Sequence, residues 1–174
     1  MSKSIAQVPR VRIRPIRDDD RAALRLFYAA LSPDSRYARF HAVSGGLAYA
    51  SARFLCGPDH EHREGLIAEI HTAQGQRRIV AHLCLEPVGL GQMEMAIAVA
   101  DQFQRHGVAQ RLLAMGIAWA RRRGITELQA AMLWGNNGVR RLIQATGYPL
   151  RLSTPSAGVV IASLWIGTAQ TTGA

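Results

Sequence analysis

The sequence predicts an α/β fold: a central mixed, mostly antiparallel sheet of about six to seven strands, flanked by helices. Three observations predict it. Apolar periodicity switches along the chain in the order strand, helices, three strands, helix, strand, helix, two strands. Short polar turns join the three middle strands, as in antiparallel hairpins, whereas a helix separates the third from the next, so the sheet is mixed rather than all-parallel. A length of 174 residues, 48% hydrophobic and 19% charged, suits one domain with a sizeable core. We expect that domain to span 10–167, between a flexible N-terminus (1–9) and a flexible tail (168–174).

Each element has its own signal. Val11 to Pro15 alternates as VRIRP, a short first strand with Val11 and Ile13 on one face. Asp18, Asp19 and Asp20 start a helix that runs to about Leu31. Ser32-Pro33-Asp34 caps a shorter second helix carrying Ser35, Arg36, Tyr37 and Phe40, and a third is expected from Ala48 to Leu55. GPDHEHREG, from Gly57 to Gly65, is a polar loop. Leu66 to His71 and Arg78 to Pro87 read as paired strands, and Val88 to Gln92 turns the chain into the strand Met93 to Val99. The helix from Val108 to Gly124 buries Val108, Leu112, Leu113, Ile117 and Ala120. Glu127 to Leu133 is the next strand, Gly135-Asn136-Asn137-Gly138 opens the helix Val139 to Thr146, and strands follow at Leu150 to Leu152 and Val159 to Ile166.

Composition excludes several classes. The longest late apolar run, Val159 to Ile166, is far short of the roughly 20 residues that span a bilayer. MSKSIAQVPR has no apolar signal-peptide core, so a soluble cytoplasmic protein with no membrane partner is expected. Cys56 and Cys84 lack metal-ligand spacing, and Cys84 alternates with Leu83 and Leu85 as a structural thiol. Asp59, His60, Glu61 and His62 lack the helical i, i+4 geometry of a ligand set, so no metal is expected. Net charge is +9, almost wholly arginine, since Lys3 is the sole lysine. Such a surface attracts polyanions, but 6% aromatics with no stacking pattern argue against nucleic acid. Arg121-Arg122-Arg123 reads as a solvated helix end meeting the dipole.

The stretch Gln92 to Gly124 organises the chain as strand, glycine-bearing turn and helix. Helix-start amides lack partners, the dipole is positive there, Gly107 has no Cβ, and Arg105 adds a charge; the product is a phosphate cradle. A dinucleotide fingerprint needs G-x-G-x-x-G, and a P-loop needs a lysine; neither is present. The motif Q-x-x-G-x-A, met by Gln104, Gly107 and Ala109, closely resembles the signature of the GNAT superfamily of N-acetyltransferases. Two further features sit at that family's spacing. Glu94 lies ten residues before Gln104, and Asn136 eleven before Gly147. The resemblance covers about Val11 to Ile166 and implies the GNAT fold, with acetyl-CoA as co-substrate and an amine as acceptor.

It also implies roles. The strands before and after the Gly107 helix are expected to splay apart. Backbone between Ile97, Ala98 and Val99 then pairs with pantetheine, and one amide polarises the thioester carbonyl. Gln104, Arg105, His106, Gly107, Val108, Ala109 and Gln110 line the pyrophosphate site, and Asn136 contacts the pantetheine arm or caps its helix. Glu94 takes the amine proton, provided burial between Met93 and Met95 raises its pKa; the alternative is a surface carboxylate. Arg111, Arg140 and Arg141 are phosphate ligands or surface residues. The tyrosine that many members use as general acid is Ile143 here, which leaves that role unassigned. Tyr148 takes a family phenylalanine position and is expected in the core.

Leu31 to Phe40, LSPDSRYARF, resembles the L-S-P-x-S-x-Y-x-R-F stretch of bacterial protein lysine acetyltransferases. That implies a protein lysine as acceptor. The alternative for the stretch is structural, with Ser32 capping while Tyr37 and Phe40 pack in the core. Competing functions are a small-amine acetyltransferase and a catalytically idle CoA-binding module. A homodimer through the final strands is also expected from the fold.

Overall fold

The computed structural model describes residues 10–40 and 57–167. The expected helix Ala48 to Leu55 and both expected flexible ends lie outside them. Among the described residues, seven strands and four α-helices follow in order: β1 (Arg12–Pro15), α1 (Arg21–Ala29), α2 (Pro33–Phe40), β2 (Glu64–His71), β3 (Arg77–Gly89), β4 (Gln92–Val99), α3 (Val108–Arg122), β5 (Glu127–Leu133), α4 (Asn137–Gln144), β6 (Leu150–Leu152) and β7 (Val159–Trp165). The sheet runs β1-β2-β3-β4-β5-β7-β6. Every pairing is antiparallel except β4 with β5. This is the α/β GNAT architecture that the sequence implied.

Alternation on β4 sends residues to two different cores. Met93 and Met95 join Leu112, Leu113 and Ile117 of α3 on one face. Ala98 joins Leu24, Phe27 and Tyr28 of α1 on the other. Gly116 lets α3 lie close on β3, since a Cβ there would stand 3.1 Å from Leu83 Cδ2. The apolar stripe of α3, at i, i+3 and i+4 spacing, therefore positions the start of this helix against the end of β4.

Two features of β1 and the first loop differ from expectation. Arg14 does not face water. Its guanidinium donates to Asp20 at 2.6 and 2.7 Å and to Glu69 at 2.8 Å, all three side chains being buried. The acidic run after β1 thus serves as a charge partner as well as a helix start. The loop 57–63 is also ordered by its own polar groups. Asp59 accepts the N–H groups of Glu61, His62 and Arg63, which hold its carboxyl well below the usual range. Arg123 donates to the carbonyls of His60 and Glu61 and lies over the Trp119 ring. Arg121 donates to the Tyr148 hydroxyl at 2.8 Å. The end of α3 is therefore tied to neighbours rather than simply solvated, and Tyr148 is half-buried at the core's edge.

Candidate active site

The site begins where two strands part. β4 pairs with β5 only through Gln92 with Glu127, Met93 with Leu128 and Glu94 with Gln129. β3 continues along the whole of β4, to Ala81 opposite Val99. Beyond Glu94 the other edge of β4 has no strand partner among the described residues, which offers its backbone polar groups to a ligand in extended form. Side chains clamp the closed end: Gln92 Nε2 and Gln129 Nε2 both donate to the Glu127 carboxylate.

Between the parted strands lies a cavity of about 40 Å³. Its wall includes Met95, Ala96 and Ile97 of β4, Ala130 to Met132 of β5, Arg39 of α2, Leu113 of α3, and Asn136 and Ile143 at α4. Helices from both faces contribute, so the opening leads through the sheet. A larger groove, about 590 Å³, follows β1 and is lined by Arg10, Arg12, His71 and Arg111. It lies three strands away from the parting, too far to take part in chemistry at the free edge of β4.

The turn into α3 stands at the open end. Gly107 is its N-cap with φ +75°, and Arg105 is also left-handed at φ +61°. A Cβ on Gly107 would meet only Gln110 Oε1, at 3.6 Å, so the space before it is open. The Arg111 N–H donates to the Gly107 carbonyl, while Val108, Ala109 and Gln110 have amides with no acceptor within the helix. Arg105 is exposed and makes no ion pair among the described residues. These groups fit a diphosphate: free N–H donors, the positive helix end, and one unpaired guanidinium.

Gln104 and His106 have different surroundings. The Gln104 N–H donates to Asp101, and its side-chain amide donates to the Val99 carbonyl and Ser35 Oγ. His106 Nδ1 donates to the Gln104 carbonyl at 2.7 Å. Both hold the shape of the turn. Asp101 ties that turn to α2, accepting from Ser32 Oγ and Ser35 Oγ at 2.7 Å each and from the Ser32 N–H at 3.0 Å. Partial burial would raise its pKa, but these donors outweigh burial and hold it low. This network was not visible in the sequence, although Ser32, Ser35 and Gln104 all stand in stretches with a family resemblance.

Glu94 is exposed, on the α2 face of the sheet and opposite Glu86 of β3. The burial expected from its methionine neighbours is absent, because alternation sends Met93 and Met95 to the other face. Ile97 and Val99 are half-buried and Ala98 is buried on the free edge. Asn136 caps α4, its Oδ1 accepting the Val139 N–H at 3.2 Å, and also lines the cavity. Tyr37 is exposed rather than in the core, and Phe40 is half-buried against the Tyr28 ring. Arg111 donates to the Val11 carbonyl. Cys84 is buried and its thiol is pushed up by that burial.

Residues 29–148 match the profile of the Acetyltransferase (GNAT) family. The chain belongs to that family. It is thus an acyltransferase of the acetyltransferase class. It is similar to Acetyltransferase PA5475 of Pseudomonas aeruginosa, 32% identical over 79% of this chain and 74% of that protein. The GNAT domain of S. lividans PAT superposes with a TM-score of 0.77 at 31% identity, covering 89% of this chain and 90% of that one. YncA of Salmonella typhimurium, solved with acetyl-CoA, shares the fold with a TM-score of 0.63 at 21% identity over 94% and 98% of the two chains. Among the described residues no helix is long and apolar enough to cross a membrane, and no cluster of ligating side chains is placed to hold a metal.

Proposed function

We propose that this acetyltransferase acetylates a primary amine by direct attack on the thioester, and that the amine is a lysine side chain of another protein. The observation that carries the reading is the parting of β4 from β5 after Glu94, with the open Gly107 turn at its wide end. Acetyl-CoA, when bound, supplies the activated acyl group. The amides of Gly107 to Gln110 and the Arg105 guanidinium hold the pyrophosphate, with Gln104 and His106 keeping the turn in shape. The free edge of β4 from Ile97 to Val99 pairs with the pantetheine arm and offers an N–H to the thioester carbonyl. Asn136 contacts the same arm with the donor that its cap leaves spare.

Glu94 takes the amine proton, directly or through a water. Its exposure on the α2 face puts it where a long, flexible ammonium arrives from solvent. Support for a protein lysine comes from α2, which presents the LSPDSRYARF stretch beside the cofactor turn through Asp101, and from the likeness to S. lividans PAT. One observation favours an idle CoA-binding module instead: Ile143, in the place of the family's acid, is buried and apolar.

Calorimetry and a steady-state assay separate these readings. Wild type is expected to bind acetyl-CoA at roughly micromolar Kd, about 8 kcal/mol, and Gly107→Glu to lose that binding. Glu94→Gln should bind normally while kcat toward a lysine peptide falls about 100-fold or more. Wild-type binding without turnover on any lysine peptide or small amine would favour the idle module. Absence of binding would remove the site as assigned.

A further inference from the structure

The reaction releases a thiolate, and the place of the usual acid is filled by Ile143, only 1% exposed, with no proton to give. Among the described residues the cavity wall nevertheless holds one ionisable side chain, Arg39. It reaches in from α2, with its guanidinium carbon 4.8 Å from the Phe40 ring centre and Nη2 donating to Cys84 Sγ at 3.3 Å. Its Nε is enclosed and has no hydrogen-bond partner among the described residues. No carboxylate among the described residues contacts it; Glu94 acts on it only at longer range. Arg14, another enclosed guanidinium, is fully engaged by Asp20 and Glu69. Arg39 is half-buried, and a cation partly withdrawn from water with no anion in contact among the described residues is costly to keep unless something anionic visits it.

We propose that Arg39 is a catalytic residue that stabilises the CoA sulfur as it departs, replacing a proton donor by a fixed positive charge. The proposal rests on the acetyl-CoA reading above. The amine lone pair forms the C–N bond, and its proton passes to Glu94 or to water. The C–S bond breaks as the carbonyl re-forms, and the bonding pair leaves on sulfur. The guanidinium stays protonated throughout, so sulfur leaves as thiolate and takes its proton from solvent afterwards. A charge aimed at a developing anion in an enclosed site needs no reorganisation when the bond breaks. The titratable groups facing Arg39 are Tyr28 of α1, His82 and Cys84 of β3, and Glu94 of β4.

The test compares CoA with desulfo-CoA by calorimetry between roughly pH 6.5 and 9, a range that crosses the usual thiol pKa. Wild type should bind CoA progressively more tightly than desulfo-CoA as pH rises, by about tenfold, because it prefers the thiolate. Arg39→Gln should bind both ligands with a ratio independent of pH, and Arg39→Lys should keep part of the rise. Cys84→Ala should keep all of it, which removes a contacting thiol whose titration would mimic the effect. In turnover, Arg39→Gln should lower kcat about 100-fold with the acetyl-CoA KM nearly unchanged. A flat ratio in wild type overturns the proposal whether or not the variants fold, and so does a full rise retained in Arg39→Gln. If wild type binds neither ligand, the acetyl-CoA reading itself has failed, and this one falls with it.

Discussion

His82 of β3 is wholly buried, with Nδ1 2.8 Å from the Tyr28 hydroxyl and Nε2 without a partner among the described residues. Burial, with Arg39 nearby, pushes its pKa down to about 3. It is therefore neutral in the folded protein down to that pH, whereas the unfolded chain takes up its proton near 6.5. The folded pKa is the lower one, so stability rises with pH across that window and is lost on acidification. The slope expected from this group is about 1.4 kcal/mol per pH unit. Urea unfolding of wild type and His82→Gln between pH 6 and pH 4.5 checks it. The variant should be less stable at neutral pH yet lose less stability on acidification. Asp20 and Asp101, held low by their partners, lose their contributions only as the carboxylate range is reached, and both proteins share that loss. Parallel pH curves would show that His82 is not the group responsible. Nothing in the sequence pointed to this histidine, because AHLCL reads equally well as a strand with its polar residues outside or inside.

At the scale of elements most of the fold was legible, and the reasons can be stated for particular segments. β5 runs from Glu127 to Leu133 as its pattern predicts, and α3 begins at Val108, just after the only glycine of its turn. Elements set by local periodicity and by a left-handed glycine are written locally. What was not legible is what depends on pairing across the chain. Asp101 is the acceptor that joins α2 to the Gly107 turn, a pairing across the chain that local pattern does not carry. Arg39 stands in the LSPDSRYARF resemblance with no role attached to it there, and among the described residues it is the sole ionisable side chain on the cavity wall. Glu94 was placed correctly on its strand, but its exposure follows from which face α2 covers, and spacing does not carry that information. The Asp101 link makes its own prediction. Removing the acceptor in Asp101→Ala frees two serine hydroxyls and the end of Gln104's network. The expected loss is about 1 kcal/mol, discounted for exposure, with acetyl-CoA binding weakened several-fold as the turn loosens. Ser35→Ala should show a smaller loss in the same direction. If unfolding and calorimetry both leave Asp101→Ala equal to wild type, the link is incidental.

Over the whole molecule, charge is distributed against the local chemistry. The chain carries a net +9, yet the α2 face of the sheet holds Glu86 and Glu94, side by side on β3 and β4. Glu86 is partly neutralised by Arg63, which donates to it at 2.6 and 3.0 Å. On the proposed function, the basic excess would attract the anionic co-substrate and this local acidic spot would receive the cationic acceptor; a uniformly basic surface would repel a lysine ammonium. Long-range attraction acts on encounter, and short-range contacts act on residence, so the two respond differently to salt. Cations at the cradle and on the helix beyond it, Arg105, Arg140 and Arg141, make no ion pairs among the described residues and are free to contribute to the long-range field. Stopped-flow measurement of CoA association should show kon falling by about tenfold or more as salt rises from roughly 0.05 to 0.5 M, where the screening length shrinks to a few ångströms. The dissociation rate should change little, because the pyrophosphate then rests on backbone N–H groups at contact distance. Arg105→Gln should alter both rates, since it lies at the cradle itself; Arg140→Gln should alter only association. A salt dependence confined to dissociation would mean that the net charge plays no part in capture, and the arginine excess would then need another physical cause.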